Sequence, residues 1–231
     1  MRRLTLFLGA LVFCLGCAEP QHRGKTLSQW KALLDHEDSS VRTEAMIALG
    51  NIGAKSTSAL IEALDEEDMA IRFVAVTALE QIGAAAVPRV KKALRHENKF
   101  IRLGAAESLV LGRYDEAAVA TLIELLEEEN PVIRRGAAFT LGNAGPIAAP
   151  ATAALGNALT DEDAFVRSSA AYSLGRIGPK ADAAAAALEK ALDDEDEKVR
   201  QYAAAALKAI TGKSTTMILP SQIPHPEQSS L

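Results

Sequence analysis

The sequence is nearly without cysteine: Cys14 and Cys17 are the two in 231 residues. Both fall in the first 17 positions, so the rest of the chain carries no disulfide and no thiol nucleophile. Aromatic residues are scarce, at 4%. Any ring at an outward-facing position therefore carries weight. A surplus of basic residues is missing. Removing Arg2 and Arg3 with the N-terminal segment leaves 23 basic residues against 30 acidic ones, a net charge of −7. No basic stripe stands out, which argues against nucleic acid as a partner. The chain also carries no Gly-rich phosphate loop and no G-x-S-x-G elbow.

Long apolar runs are missing too, with one short exception. Arg2 and Arg3 precede the apolar stretch Leu4 to Leu15, and Gly16-Cys17-Ala18 follows it. That is the layout of a signal peptide, and the stretch is too short to span a bilayer. Two processing routes fit. Cleavage before Cys17, with lipid added to that cysteine, resembles a bacterial lipoprotein signal, although Cys14 stands where that pattern usually has Leu. Cleavage after Ala18 would be ordinary secretion into the envelope or medium. The pattern at Cys17 favours the first, so a membrane-anchored envelope protein is expected. The expected organisation is a signal over residues 1–17, a polar linker over 18–25, a repeat body over 26–212 and a flexible tail over 213–231. The tail carries Pro220, Pro224 and Pro226 among Ser and Gln, a composition that cannot bury enough apolar surface to order itself. Met217-Ile218-Leu219 is the one stretch of it suited to strapping onto the last repeat.

What the chain does contain is one phrase, written six times. An acid or amide is followed three residues later by an aliphatic residue, then Arg, then an Ala-rich run. The acid or amide and the arginine are Asp38 and Arg42, Asp68 and Arg72, Asn98 and Arg102, Asn130 and Arg134, Asp163 and Arg167, and Asp196 and Arg200. The arginines lie 30, 30, 32, 33 and 33 residues apart. A period of that length means stacked supersecondary units.

Each unit reads as two helices. In the first copy Thr26-x-x-Gln29 is a capping box for a short A helix with Trp30, Leu33 and Leu34 on one face. Asp38 then caps a B helix. Pro131, directly after Asn130, suits the first position of a helix. Val41, Ala45, Ala48, Leu49 and Ile52 share one face of the B helix. Gly53 ends it, where a left-handed residue is wanted, and Gly83, Gly145 and Gly178 repeat the role.

The full phrase, D-x-x-V-R-x-x-A-x-x-A-L-G-x-I-G, is intact over Asp38 to Gly53 and, with Ser173 for the second Ala, over Asp163 to Gly178. It resembles HEAT repeats, of the short kind named for phycobilisome lyases. Copy four has Ala144 for Ile, copy two has Glu80 for the first Gly, and copies three and six drift at their ends. The resemblance implies an all-α, right-handed solenoid of about six helix pairs over residues 26–212. It also implies that the Asp and Arg positions form a structural ladder, bonding within and between repeats. It carries no activity with it.

The acid-rich turns and the histidines are the groups with chemical potential. The acid-rich turns Asp65 to Asp68, Glu127 to Glu129, Asp161 to Asp163 and Asp193 to Asp196 have neither the spacing nor the glycine of a calcium loop, and read as solvated turns beside helix N-termini. The pairs His36-Glu37 and His96-Glu97 invite comparison with deoxyhypusine hydroxylase, a HEAT-like di-iron oxidoreductase. The slots matching that family's His-Glu pairs are Thr43-Glu44, Phe73-Val74, Leu103-Gly104, Arg135-Gly136, Ser168-Ser169 and Gln201-Tyr202, and none has His. His22 and His225 fall in linker and tail. No metal and no cofactor is expected, and no catalytic set assembles.

Outward-facing B-helix slots remain. Helical angles turn two rows away from the core: Thr43, Phe73, Leu103, Arg135, Ser168 and Gln201, and Ile47, Thr77, Glu107, Phe139, Tyr172 and Ala205. The resemblance places such slots on a concave surface. Phe73, Leu103, Phe139 and Tyr172 are bulky where solvent-facing slots should be polar, so they are the candidate partner contacts. Arg135, Arg176, Glu107 and Gln201 would rim them. The expected function is a non-catalytic scaffold at the cell envelope holding a protein or peptide. The rival is an enzyme or enzyme accessory related to the bilin lyases, and a third reading is a spacer without a specific ligand.

Overall fold

The computed structural model describes residues 19–113 and 116–212. Cys17, the rest of the signal segment and the tail, with Met217 to Leu219, lie outside the described residues.

Six helix pairs follow one another, in the all-α solenoid the period predicts. The A helices are α1 (Leu27–Lys31), α3 (Thr57–Glu62), α5 (Val87–Ala93), α7 (Glu116–Leu125), α9 (Thr152–Ala158) and α11 (Ala185–Ala191). The longer B helices are α2 (Ser39–Ile52), α4 (Met69–Ile82), α6 (Lys99–Arg113), α8 (Pro131–Ala144), α10 (Ala164–Ile177) and α12 (Glu197–Thr211). Short 3₁₀ turns join most B helices to the next A helix. None of the described helices is long and apolar enough to cross a membrane.

The B helices begin where the caps predict. The Asp163 carboxylate accepts from the N–H groups of Phe165 and Val166 at 2.7 and 3.1 Å. Asp68, Asn98 and Asp196 also accept two such N–H groups in their own copies, and Asp38 and Asn130 accept one each. Each bond satisfies a backbone donor that the helix itself cannot pair.

The helices end more sharply than expected. Gly53, Gly83, Gly145 and Gly178 have φ between 62° and 89° but ψ between −139° and −149°. That is not the left-handed region but one open essentially to glycine alone. Gly212, at the end of α12, does adopt the left-handed geometry, with ψ 1°.

The core is a strip of small and medium side chains. Ala45, Ala48, Leu49, Ala75, Leu79, Ala137, Leu141, Ala170 and Leu174 are buried along successive B helices. Small residues let those helices approach closely. A Cβ added at Gly142 would sit 3.1 Å from the Ser173 Cα, and the Ser173 hydroxyl donates to the Ala138 carbonyl at 2.7 Å. No single pair encloses this strip, so each repeat is stabilised through its neighbours.

The segment expected to be a polar linker is ordered instead. Gln21–His22 (β1) pairs antiparallel with Lys25–Thr26 (β2) through a turn at Arg23 and Gly24, both at positive φ. The reason is Trp30. Its ring is buried under Lys25, whose Nζ lies 4.4 Å from the ring centroid, and its indole N–H donates to the His22 carbonyl at 3.0 Å. The hairpin packs on α1 and α2, the first described helix pair.

Candidate functional site

Two systems of side chains run along the repeats. The first is the arginine ladder. Each arginine, four residues after its cap, folds back on the turn before its own helix. Arg134 Nη1 donates to the Glu128 and Glu129 carbonyls, and Arg167 Nη1 to those of Asp161 and Glu162. Arg42, Arg102 and Arg200 make the equivalent pairs, and Arg72 bonds the Glu66 carbonyl.

The rest of the guanidinium reaches forward into the next repeat. Arg134 meets Asp161 with two bonds of 2.8 Å, and Arg167 meets Asp194 with bonds of 2.8 and 2.9 Å. Arg42 pairs with Glu66 at 2.6 Å and Arg102 with Glu128 at 2.8 Å. Glu128 also takes Lys99. These acids belong to the turns that sequence reasoning left solvated, and that expectation is corrected here. Their side chains are 11–17% exposed. Two-pronged arginine–carboxylate geometry favours such pairs when they are partly covered.

The acid sits two positions before the next cap, and that slot has a second duty. Asp161 and Asp194 accept the backbone N–H of Asp163 and Asp196, each at 2.9 Å. Burial pushes both carboxyls up, but the arginine hydrogen bonds, that backbone N–H and the flanking arginine charges outweigh it. Both end below their ordinary range. The repetition of an acid at this slot was the signal that could have found them.

His36 and His96 occupy the same slot. Their Nδ1 atoms accept the N–H of Asp38 and Asn98 at 3.0 and 3.1 Å. Both histidines therefore serve as local turn acceptors. Among the described residues no three His, Cys, Asp or Glu side chains come together as a metal site would require.

The second system is the outward row on the B helices. Phe73 is 49% exposed and Phe139 43%. Tyr172 is half-buried, because Phe139 stacks on it at 5.7 Å and Tyr202 meets it edge-on at 5.9 Å. Leu103 breaks the row. It is fully buried, so it is not a contact for a partner. The cause lies one helix on: a Cβ at Gly136 would fall 2.7 Å from Leu103 Cδ2, so the missing side chain leaves the space that Leu103 fills.

The expected rim also changes. Arg176 is exposed. Arg135 is half-buried with its guanidinium 5.7 Å from the Phe165 ring. Gln201 bonds Glu197 of its own helix. Ser168, placed among the outward slots, is buried and bonds the Phe165 carbonyl. Glu107 is buried, with Arg72 Nε 3.5 Å from its carboxylate. Burial raises its pKa against the opposing pull of Arg72 and the Thr140 hydroxyl.

Phe73, Phe139 and Glu107 surround a hollow of about 260 Å³ between α4, α6 and α8, completed by Met69, Leu111, Thr140 and Asn143 among others. Helix packing is thinner on both sides of α6 than between α8, α10 and α12. Sequence reasoning missed three exposed apolar groups on this side of the repeats, Met69, Tyr202 and Phe165. They sit at helix starts or one position off the two rows.

Solved structures share the architecture at low sequence identity. The complex of CpcE and CpcF of phycocyanin lyase from Nostoc sp. PCC7120 matches with a TM-score of 0.54 and 22% identity, over 66% of this chain and 98% of that one. A designed armadillo repeat protein in complex with the peptide (KR)4 matches with a TM-score of 0.54 and 20% identity, over 80% and 100%. Kap121p matches with a TM-score of 0.58 and 15% identity, over 80% of this chain and 25% of that one. No curated protein matches by sequence. The family model for HEAT repeats matches residues 27–110, 57–142 and 119–208, and the chain therefore belongs to the HEAT-repeat family.

Proposed function

We propose that the protein is a non-catalytic scaffold at the cell envelope. It is tethered by lipid at Cys17 and holds a protein or peptide on the face formed by its B helices. The observation that carries this reading is the exposure of Phe73, Phe139 and Tyr202 on the alternate B helices α4, α8 and α12. A solenoid does not need rings there for stability, and exposed aromatics are typical anchors at interfaces. The designed armadillo protein, similar in fold, is itself in complex with a peptide, which supports the use of such a face for an extended chain. The rival reading, an enzyme or accessory akin to the bilin lyases, has fold likeness in its favour, but no cluster of metal-ligating side chains supports it among the described residues.

Phe139→Ala tests the scaffold reading. Truncating an interface ring costs about 2 kcal/mol, roughly a thirtyfold loss in affinity. The variant should lose most of its capture of partners from envelope membranes while its helix content stays unchanged. Glu67→Gln, in an exposed turn, should capture normally. Glu66 is no control for this purpose, because it anchors Arg42. Undiminished capture by Phe139→Ala would remove the assigned face.

A further inference from the structure

Glu107 departs from the repeat. Its slot, five residues after the ladder arginine, holds Ile47, Thr77, Phe139, Tyr172 and Ala205 in the other copies. Helix packing does not call for an acid there, yet the side chain is buried. Arg72 is the matching departure. Arg42, Arg102, Arg134 and Arg167 each meet an acid two positions before the next cap. Arg72 has His96 at that slot, and the His96 Nδ1 is taken by the Asn98 N–H. The Arg72 side chain is fully buried, and its Nε and Nη2 make no hydrogen bond. Its carboxylate neighbour is Glu107, at 3.5 Å.

A buried ion pair of this kind is a poor source of stability, and an apolar residue at 107 would avoid its desolvation. Two linked departures that cost stability are expected at a functional site. They meet at the hollow between α4, α6 and α8.

The hollow has room and a defined chemistry. Its volume is about 260 Å³, and a dry cavity of about 150 Å³ already takes a benzene ring. Phe73, Phe139, Met69 and Leu111 supply apolar walls, and the polar groups are Glu107, Thr140 and Asn143. Arg72 already neutralises Glu107, so a second cation gains little. An anion would meet the carboxylate. A carboxylate offers about four acceptor positions; Thr140 addresses one, and Arg72 Nε stands 3.5 Å from the carboxylate without a hydrogen bond. The complementary group is therefore a flat apolar ring, larger than benzene, with one hydrogen-bond donor.

We propose that this hollow receives a tryptophan side chain of the partner polypeptide, with the indole N–H donating to the Glu107 carboxylate. The inference rests on the scaffold reading and names the anchor that the B-helix face would recognise.

The test uses the intact mature chain and small probes observed by ligand NMR. N-acetyl-tryptophanamide should bind. Its benzothienyl isostere, with sulfur in place of the N–H, should bind about tenfold more weakly, the loss expected for a hydrogen bond to a charged acceptor. Glu107→Gln should weaken the tryptophan probe by a similar factor and leave the isostere unchanged. Phe139→Ala should abolish binding of both. Equal binding of the two probes to the wild-type chain overturns the proposal, and that comparison needs no variant to fold. Tighter binding of N-acetyl-lysinamide, or undiminished binding to Phe139→Ala, overturns it as well. If the tryptophan probe fails while Phe139→Ala still weakens partner capture, this inference falls and the scaffold reading stands.

Discussion

Single residues in this chain carry opposite charges of meaning. Asp161 and Asp194 lie below the ordinary carboxyl range because arginines and backbone N–H groups outweigh their burial. A depressed acid stabilises the fold above its unfolded pKa, and that contribution is lost as pH falls through the lower folded value. Glu107 works the other way. Its raised pKa makes the folded state the better proton binder, so stability declines as pH climbs from the ordinary glutamate range through the raised value. Two expectations follow for melting curves measured against pH. Replacing Asp161 and Asp194 by Asn should flatten the acid limb, with variant and wild type converging in strong acid. Glu107→Gln should leave the acid limb alone and remove the decline on the higher-pH side. An unchanged acid limb in the double Asn variant would show that the ladder acids titrate normally.

At the scale of the helix pair, the ladder and the caps are separate devices. The Asp163 carboxylate serves the first turn of α10, whereas Arg167 serves the preceding turn and Asp194 of the next repeat. Double-mutant cycles should separate them. Arg134→Ala with Asp161→Ala should show a coupling of about 1–2 kcal/mol, since each removes the other's partner. Asp163→Ala should cost about 1 kcal/mol. Combined with Arg167→Ala it should be additive within about 0.5 kcal/mol, because the two side chains share no hydrogen-bond partner. Strong coupling of Asp163 with Arg167 would mean that the caps belong to the ladder after all. The helix ends offer a cleaner test of backbone strain. A Cβ at Gly178 would touch nothing within 4 Å, yet its φ of 72° and ψ of −145° are closed to other residues. Gly178→Ala should therefore cost about 1–3 kcal/mol from the backbone alone. A melting temperature equal to wild type would show that the turn relaxes freely.

For the whole molecule, stacking is the source of stability and of the proposed binding face. Each repeat leaves one face to its neighbours, and the hairpin over Trp30 packs on the first described pair. The aromatic row runs across helices distant in sequence, so it exists only when the stack is formed. The tether proposed at Cys17 would present that row at a membrane surface. Stable attachment requires more than one acyl chain, because a single chain binds reversibly. Cys17→Ser should therefore move the protein from the membrane fraction to the soluble fraction, or leave its precursor uncut. A mature wild-type N-terminus at Glu19 with no lipid would replace tethering by ordinary secretion.

The sequence by itself determined what is local and periodic. The cap residues, the spacing of the arginines and the apolar face of each B helix depend on contacts within a few residues, so one strand of text suffices to read them. The all-α solenoid and its six pairs follow from the same repetition. Tertiary structure decided which groups are covered, because a helical wheel gives a direction but not the height of the neighbouring wall. Leu103 points outward on the wheel and is buried, because Gly136 on the adjoining helix leaves room for it. Phe139 shares the outward direction and stays exposed, even while it stacks on Tyr172. The turn acids looked solvated in sequence and became arginine partners only when the next repeat carried them within reach. Glu107 and Arg72 are 35 positions apart, and only the offset between α4 and α6 makes them buried neighbours.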